Sequence, residues 1–291
     1  MQEDTGFIEH QKRLQTFLDE RAQKLDRWKG WGGYYHKRIE SIYQFLIPPE
    51  MRVLEVGCGR GDLIASVKPK YGVGIDLSEK MVAAARERHA EIHFLQADVH
   101  HLDLQETFDY IILSDVVNDL WDVELAFRRL ADHCHPSTRL IINYFNRLWQ
   151  LPLDIARWLH VATPTLEQNW LSVQDTANLL HLGDFEVIRS WTEVLFPFPI
   201  PLLAPLFNKF LIRSWLFKSM GMTCFSLARP NPARFKNNKK YSVSVIVPAR
   251  NEAGNISAIF KRTPLMGKGT QLVFVEGHSK DNTYAEIEKQ I

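Results

Sequence analysis

From Arg52 to Tyr144 the chain repeats one pattern: a short, nearly unbroken apolar run, a break with glycine or an acid, then apolar residues three and four apart. Unbroken β-branched runs read as strands buried on both faces, and the three-and-four spacing reads as helix. The pattern predicts strands at Arg52–Val56, Tyr71–Ile75, Ile92–Gln96, Tyr110–Leu113 and Arg139–Tyr144, with helices near Asp62–Val67, Glu79–His89 and Asp122–Cys134. Strands alternating with helices imply a parallel sheet with right-handed crossovers. Upstream, Phe7 to Trp28 has helical spacing that ends in the run Lys29 to Gly33, and a second amphipathic helix, Tyr34–Ile47, stops at Pro48 and Pro49. Downstream come an irregular helical stretch (Leu148–His160), a helix at Val173–Leu182 capped by Ser172, and strands at Phe185–Thr192 and Met222–Leu227.

The pattern breaks at Ala228–Ser242, where two prolines, several asparagines and five basic residues mark a linker. Three parts are expected: residues 1–230, with a helical and apolar lid at about 145–220; a linker at 231–241; and a C-terminal α/β segment at 242–291. That last segment is at the bottom of the size range for an independent domain.

Composition narrows the field. Hydrophobic residues make up 45% and charged residues 24%, the balance of a globular chain. With 35 basic and 34 acidic side chains the net charge is +1, so no global field draws the protein to nucleic acid, and no nucleic-acid partner is expected. Cys58, Cys134 and Cys224 are far apart, which argues for a reducing, cytoplasmic setting without disulfides or a zinc ribbon. The acidic start MQEDTGF does not read as a signal peptide. The apolar run Val194–Phe207 is shorter than the roughly 20 residues of a spanning helix. It also carries four prolines. The helix predicted after it bears Lys209, Arg213 and Lys218. Two readings stay open: a covered hydrophobic flap, or an interfacial element making peripheral contact with the inner face of a membrane through about 194–218.

The chemistry is concentrated in VLEVGCGRGD, Val53 to Asp62. Gly57, Gly59 and Gly61 are one residue tighter than the dinucleotide spacing. Glu55 precedes the loop and Asp62 opens the next helix; a carboxylate there repels a pyrophosphate and competes for the same amide donors. A cationic ligand suits this rim. Asp76, at the end of YGVGID, can accept two ribose hydroxyl protons, and Asp98, at the end of HFLQAD, is placed for an adenine edge.

With VLEVGCGRGDL, GIDLSEKMV, LQADVHHL and FDYIILSDVVNDLWD in order, the chain from about Tyr34 to Pro230 resembles the class I S-adenosylmethionine-dependent methyltransferases. The resemblance implies an α/β fold with a Rossmann-like, seven-stranded, mostly parallel sheet, helices on both faces and an antiparallel last strand. It implies S-adenosyl-L-methionine as cofactor, with Glu55, Gly57 and Gly59 at the methionine part, Asp76 at the ribose, Asp98 and Val99 at the adenine, and Ser114 near the sulfonium. Cys58, Gly61, Leu77 and Met81 complete the expected cofactor pocket.

Methyl transfer from a sulfonium is a displacement in line with the leaving group, and a hydroxyl nucleophile benefits from a nearby base. Asp115 and His36 are the candidate catalytic residues, with Tyr35 beside the latter; Asn118, Asp119 and Tyr144 also fall near the active face. Each has a plainer reading: Asp115 as a turn cap, His36 as a solvated helix residue, Tyr144 as strand-end packing. His133-Cys134-His135 is expected in a loop before the fifth strand, with no set of ligands for a metal. His100 and His101 are expected in a polar loop.

The tail motifs VSVIVPARNEAGNI and VFVEGHSKDNTY resemble the opening of family-2 glycosyltransferases with the GT-A fold. This likeness implies Pro248, Arg250, Asn251 and Glu252 at a nucleotide pocket, Glu276 where an aspartate is commoner, and Asp281 nearby. The family's later Asp-x-Asp and catalytic acid have no counterpart, so sugar transfer is not expected, and the tail should pack poorly or lean on the rest. The fusion points to a small-molecule or saccharide acceptor, including a lipid-linked glycan, and to polysaccharide biosynthesis. The alternative is a non-catalytic cofactor- or membrane-binding module that positions a glycosyltransferase. Acceptor and oligomeric state stay open.

Overall fold

The computed structural model describes residues 5–24, 32–159, 165–198, 200–235 and 241–291, and falls into two compact units, Met1–Phe235 and Lys236–Ile291. In the first, α1 (Thr5–Lys24) and α2 (Gly32–Leu46) precede β1 (Arg52–Val56), α3 (Asp62–Ser66), β2 (Tyr71–Asp76), α4 (Glu79–Arg88), β3 (His93–Gln96) and β4 (Phe108–Ser114). There follow α5 (Val123–Asp132), β5 (Cys134–Phe145), α6 (Gln150–Trp158), α7 (Val173–Leu182), β6 (Phe185–Glu193), the short turn α8 (Leu203–Pro205) and β7 (Thr223–Pro230). The strands form one sheet in the order β3-β2-β1-β4-β5-β7-β6, with β7 antiparallel to both neighbours and the other pairs parallel.

The sheet is buried on both sides because alternate residues feed two cores. Leu54, Ile111 and Ile142 face one with Phe127 and Phe185, while Val53, Ile112 and Ile141 face the other with Tyr43 and Ile64. In α2, Ile39, Ile42 and Tyr43 make the stripe that packs on the second core. In α5, Val123, Ala126, Phe127 and Leu130 do the same for the first. Ser172 caps α7 in a reciprocal pair with Asp175.

Two expectations need correction. His133-Cys134-His135 is not a free loop: β5 already begins at Cys134, across an irregular register opposite Phe108 and Tyr110. There His135 Nε2 lies 3.1 Å from Asp109 Oδ1 and His133 Nδ1 lies 3.1 Å from Glu106 O, so both rings are tied to the neighbouring strand's approach. The linker also starts later than residue 231. Pro232–Phe235 is a 3-10 turn whose Arg234 binds Asp184 (2.6 Å) and Asp132 (2.8 Å), which fastens it to the first unit. Tyr144, named as a candidate near the active face, is fully buried in the core with Ile142, which matches its plainer reading as strand-end packing. Trp28, Lys29 to Trp31 and His160 lie outside the described residues, as do linker residues 236–240.

In the second unit β8 (Ser242–Ala249) pairs in parallel with β9 (Gly269–Glu276); α9 (Ala253–Arg262) connects them and α10 (Thr283–Gln290) follows. Its fully buried apolar core is Ala249, Ile256 and Ile287, and alternate strand residues such as Ile246 and Val275 are exposed.

Candidate active site

The site is built at the carboxyl ends of β1, β2 and β4. After β1 the chain turns through Gly57 (φ 68°), Gly59 (φ 52°) and Gly61 (φ 77°), left-handed conformations that a side chain disfavours. A Cβ at Gly57 would come within 2.3 Å of Val116 Cγ2, and one at Gly61 within 2.4 Å of the Phe94 ring, whereas one at Gly59 meets nothing within 4 Å. The loop is closed on two sides and open at its middle. Gly57→Ala should therefore lower cofactor affinity about tenfold and melt earlier, since the left-handed strain alone is about 1–2 kcal/mol. Adding Val116→Ala should restore part of the melting temperature but not the strain, which differential scanning fluorimetry can read.

Acids brace the open loop. Asp76 accepts from Gly59 N and Ser78 N, both at 2.9 Å, and Glu55 Oε2 accepts from Ile64 N at 3.0 Å. Both carboxylates are buried, and desolvation pushes both above the usual carboxylate range, Glu55 strongly. Among the described residues neither has an ion-pair partner. Buried negative charge without a cation is costly, and a cationic ligand relieves it.

Asp62 plays a smaller part than its sequence position implies. It is exposed and held by Arg88 (2.9 Å) and His89 (3.2 Å), because the end of α4 packs beside the start of α3. That leaves Glu55 and Asp76 as the buried acids of the loop.

Asp98 caps the 3-10 turn Val99–His101: its Oδ1 accepts from His100 N at 3.0 Å and lies 2.6 Å from His100 Nδ1. Burial alone would raise this carboxyl; the His100 hydrogen bonds outweigh it and hold the group below the usual range. His100 is no solvated loop residue. It is buried, and its Nε2 accepts from Asp122 N at 3.2 Å, tying the turn after β3 to the start of α5. The side chains of Cys58, Met81 and Val99 are buried, and Leu77 and Ser114 are half-buried.

Past β4, Asp115 sits at φ 56°, a strained conformation for a residue with a side chain. Its Oδ1 accepts from Tyr35 Oη and from Asn143 Nδ2, both at 2.7 Å, and Asn143 Oδ1 accepts from Tyr43 Oη at 2.8 Å. Desolvation pushes Asp115 up to about 7, against the pull of these donors. The carboxylate is thus held by side chains from α2 and β5 rather than by its own turn. His36 is exposed, with its ring edge-on to Tyr35 at 5.4 Å; Tyr35 is the residue brought to Asp115. Asn118 binds Phe145 N and Asn169 O, and Asp119 accepts from Gln168, which makes them ties to the 165–172 segment.

Sequence reasoning missed Asn143, Tyr43 and the role of α1. Ser78 donates to Asp19 of α1, and Phe7 packs edge-on against His100 (5.4 Å) and Trp121 (6.4 Å), so this helix lies along the ligand side of the sheet. Polar residues on a helix face gave no signal of that contact.

Comparison with known proteins agrees with this geometry. Residues 47–183 match the model of a methyltransferase domain family. Ubiquinone biosynthesis O-methyltransferase from Bradyrhizobium diazoefficiens is 30% identical over 107 residues, 34% of this chain and 42% of that protein. The protein of the same name from Nitrobacter winogradskyi is 26% identical over 173 residues, 50% of this chain and 66% of that one, so the match spans about half the length of these relatives. Magnesium protoporphyrin IX methyltransferase from Synechocystis PCC 6803, solved with bound SAH, shares the fold at a TM-score of 0.53 and 17% identity, over 76% of this chain and all of that one. The glycine cradle and its buried acids fit S-adenosyl-L-methionine, and residues 47–183 form an S-adenosylmethionine-dependent methyltransferase domain.

Proposed function

We propose that the domain methylates a hydroxyl oxygen of a small-molecule acceptor, with Asp115 taking the hydroxyl proton. The observation that carries this reading is the Asp115 carboxylate, recessed at the end of β4 and titrating near neutrality. S-adenosylmethionine, when bound, supplies an electrophilic methyl on a sulfonium and a neutral thioether as leaving group. The chain supplies the rest. Asp76, Glu55 and the glycine loop hold the donor by charge and backbone contact. Tyr35 and Asn143 both bind Asp115 Oδ1, so Oδ2 is the oxygen left to accept a proton. The names of the relatives, O-methyltransferases, support oxygen as the atom methylated.

The test is transfer of labelled methyl to a panel of phenols, catechols, monosaccharides and nucleotide sugars. Turnover only on amines, unchanged in Asp115→Asn, would refute the proposal. Binding of the cofactor with no turnover on any acceptor would favour a non-catalytic positioning module. Tyr35→Phe offers a finer check: the Tyr35 hydrogen bond lowers Asp115, so its loss should move the acid limb of kcat/KM to higher pH.

A saccharide or lipid-linked glycan acceptor is the second reading, favoured by the C-terminal unit. There a parallel strand–helix–strand places Glu276 at the end of β9, accepting from His278 N at 3.0 Å and from Ser279 N, and Asn251 stands at φ 58° after β8. This arrangement supports the likeness to the opening of a GT-A fold, and methylation of sugars in the panel would favour it.

A further inference from the structure

We propose that the connection from β6 to β7, with α6 beside it, docks on an anionic lipid bilayer. The connection leaves the sheet at Glu193 and re-enters at Thr223, paired residues next to Phe145 at the carboxyl end of β5, the end that holds the active site. Trp149 Nε1 donates to Met220 O at 2.8 Å, and Asn146 Nδ2 donates to Ser219 O and Gly221 O at 2.9 Å, so the β6–β7 connection and the start of α6 form one surface.

The connection has a defined inner side. Ala204, Asn208 and Ile212, four apart, are buried, and Asn208 binds both polar backbone atoms of Phe196 and the Tyr34 hydroxyl. What faces outward should then be polar, as on the surface helix of a water-soluble protein. It is apolar instead: Leu202 is 85% exposed, Trp215 82% and Phe210 69%, with Trp158 at 77% and Leu151 at 74% on α6. Exposed apolar side chains of this size, gathered on two linked segments, mark an interaction site.

Charge identifies the occupant. Residues 194–220 contain Lys209, Arg213 and Lys218 and no acid, and on α6 the one acid, Asp154, is bound to Arg157 at 2.9 Å. Lysine is depleted from the cores of protein interfaces, whereas lysine and arginine among exposed tryptophan and leucine are what an element lying in the headgroup layer presents. Among the described residues no helix is long and apolar enough to cross a membrane, so the contact is with the bilayer surface. Docking goes beyond the methyl-transfer reading and does not depend on the acceptor's identity.

The test is flotation of the full chain with vesicles of phosphatidylcholine alone and of an equal mixture with phosphatidylglycerol. The wild type should float with the anionic vesicles and lose that binding in high salt. Leu202→Ser/Phe210→Ser/Trp215→Ser and Lys209→Glu/Arg213→Glu/Lys218→Glu should each cut the bound fraction at least about tenfold. Both variants change exposed side chains, and retained S-adenosylmethionine affinity by calorimetry verifies that they fold. Absent flotation, flotation equal in the variants, or a concentration-dependent dimer that the serine variant abolishes without vesicle binding would each overturn docking and leave the methyl-transfer reading standing. Loss of cofactor binding in the wild type would strike that reading alone.

Discussion

Asp76→Ala should weaken S-adenosylmethionine binding by about a hundredfold or more. A hydrogen bond to a charged group contributes about 1.5–3 kcal/mol, and two ribose hydroxyls lost together correspond to about 3–6 kcal/mol, with a tenfold change per 1.4 kcal/mol. The carboxylate also anchors Gly59 N and Ser78 N, so its removal frees the loop as well as the ribose contacts. Asp76→Asn, which keeps the shape and one acceptor, should fall between. Isothermal calorimetry decides the matter: an alanine variant within a few fold of wild type would mean that the strand-end carboxylate does not meet the donor.

Asp115→Asn should lower kcat by about two to four orders of magnitude with donor affinity nearly unchanged, the range for loss of a general base. Wild-type activity should rise with pH as the carboxylate ionises, half-maximal near its value of about 7, and the Asn variant should lack that limb. Stability supplies an independent readout. Because the folded value lies above the ordinary 3.8, the native state holds more protons than the unfolded chain between those two values. Its stability therefore declines as pH rises through that window. Asn in this position carries no charge to bury and can still accept from Tyr35 and Asn143. At pH above 7 the variant should melt at or above the wild-type temperature while turning over far more slowly. A variant that is destabilised and still active would identify Asp115 as scaffold.

What could be read from the chain was local. Val53, Leu54 and Val56 make a short apolar run interrupted only by Glu55, and β1, Arg52–Val56, has the bounds that this run and its flanks predict. The run Val173–Leu182 with its Ser172 cap likewise defined α7 at both ends. The start of β5 was hidden because His133 to Ser137 is polar and contains Pro136, a residue that interior strands avoid; the register irregularity opposite Phe108 accommodates it. In the site, the glycines and strand-end acids are announced by position alone. The rest depends on contacts far apart in sequence: Tyr35 reaches Asp115 across 80 residues and Tyr43 reaches Asn143 across 100. Arg88 neutralises Asp62 across 26, which no pattern within the glycine loop could reveal.

The pairing of Glu193 with Thr223 bears on how such a domain can diversify. A connection that departs and returns on the same rung is already closed by the sheet, and each doubling of its length adds only about 0.6 kcal/mol of closure entropy. Grafts of other lengths and chemistries can be accepted at that rung without disturbing β1, β2 and β4. The surface that this segment presents can then change by exchange of the one segment, while the glycine-loop half of the sheet, where we propose that the donor binds, keeps its framework.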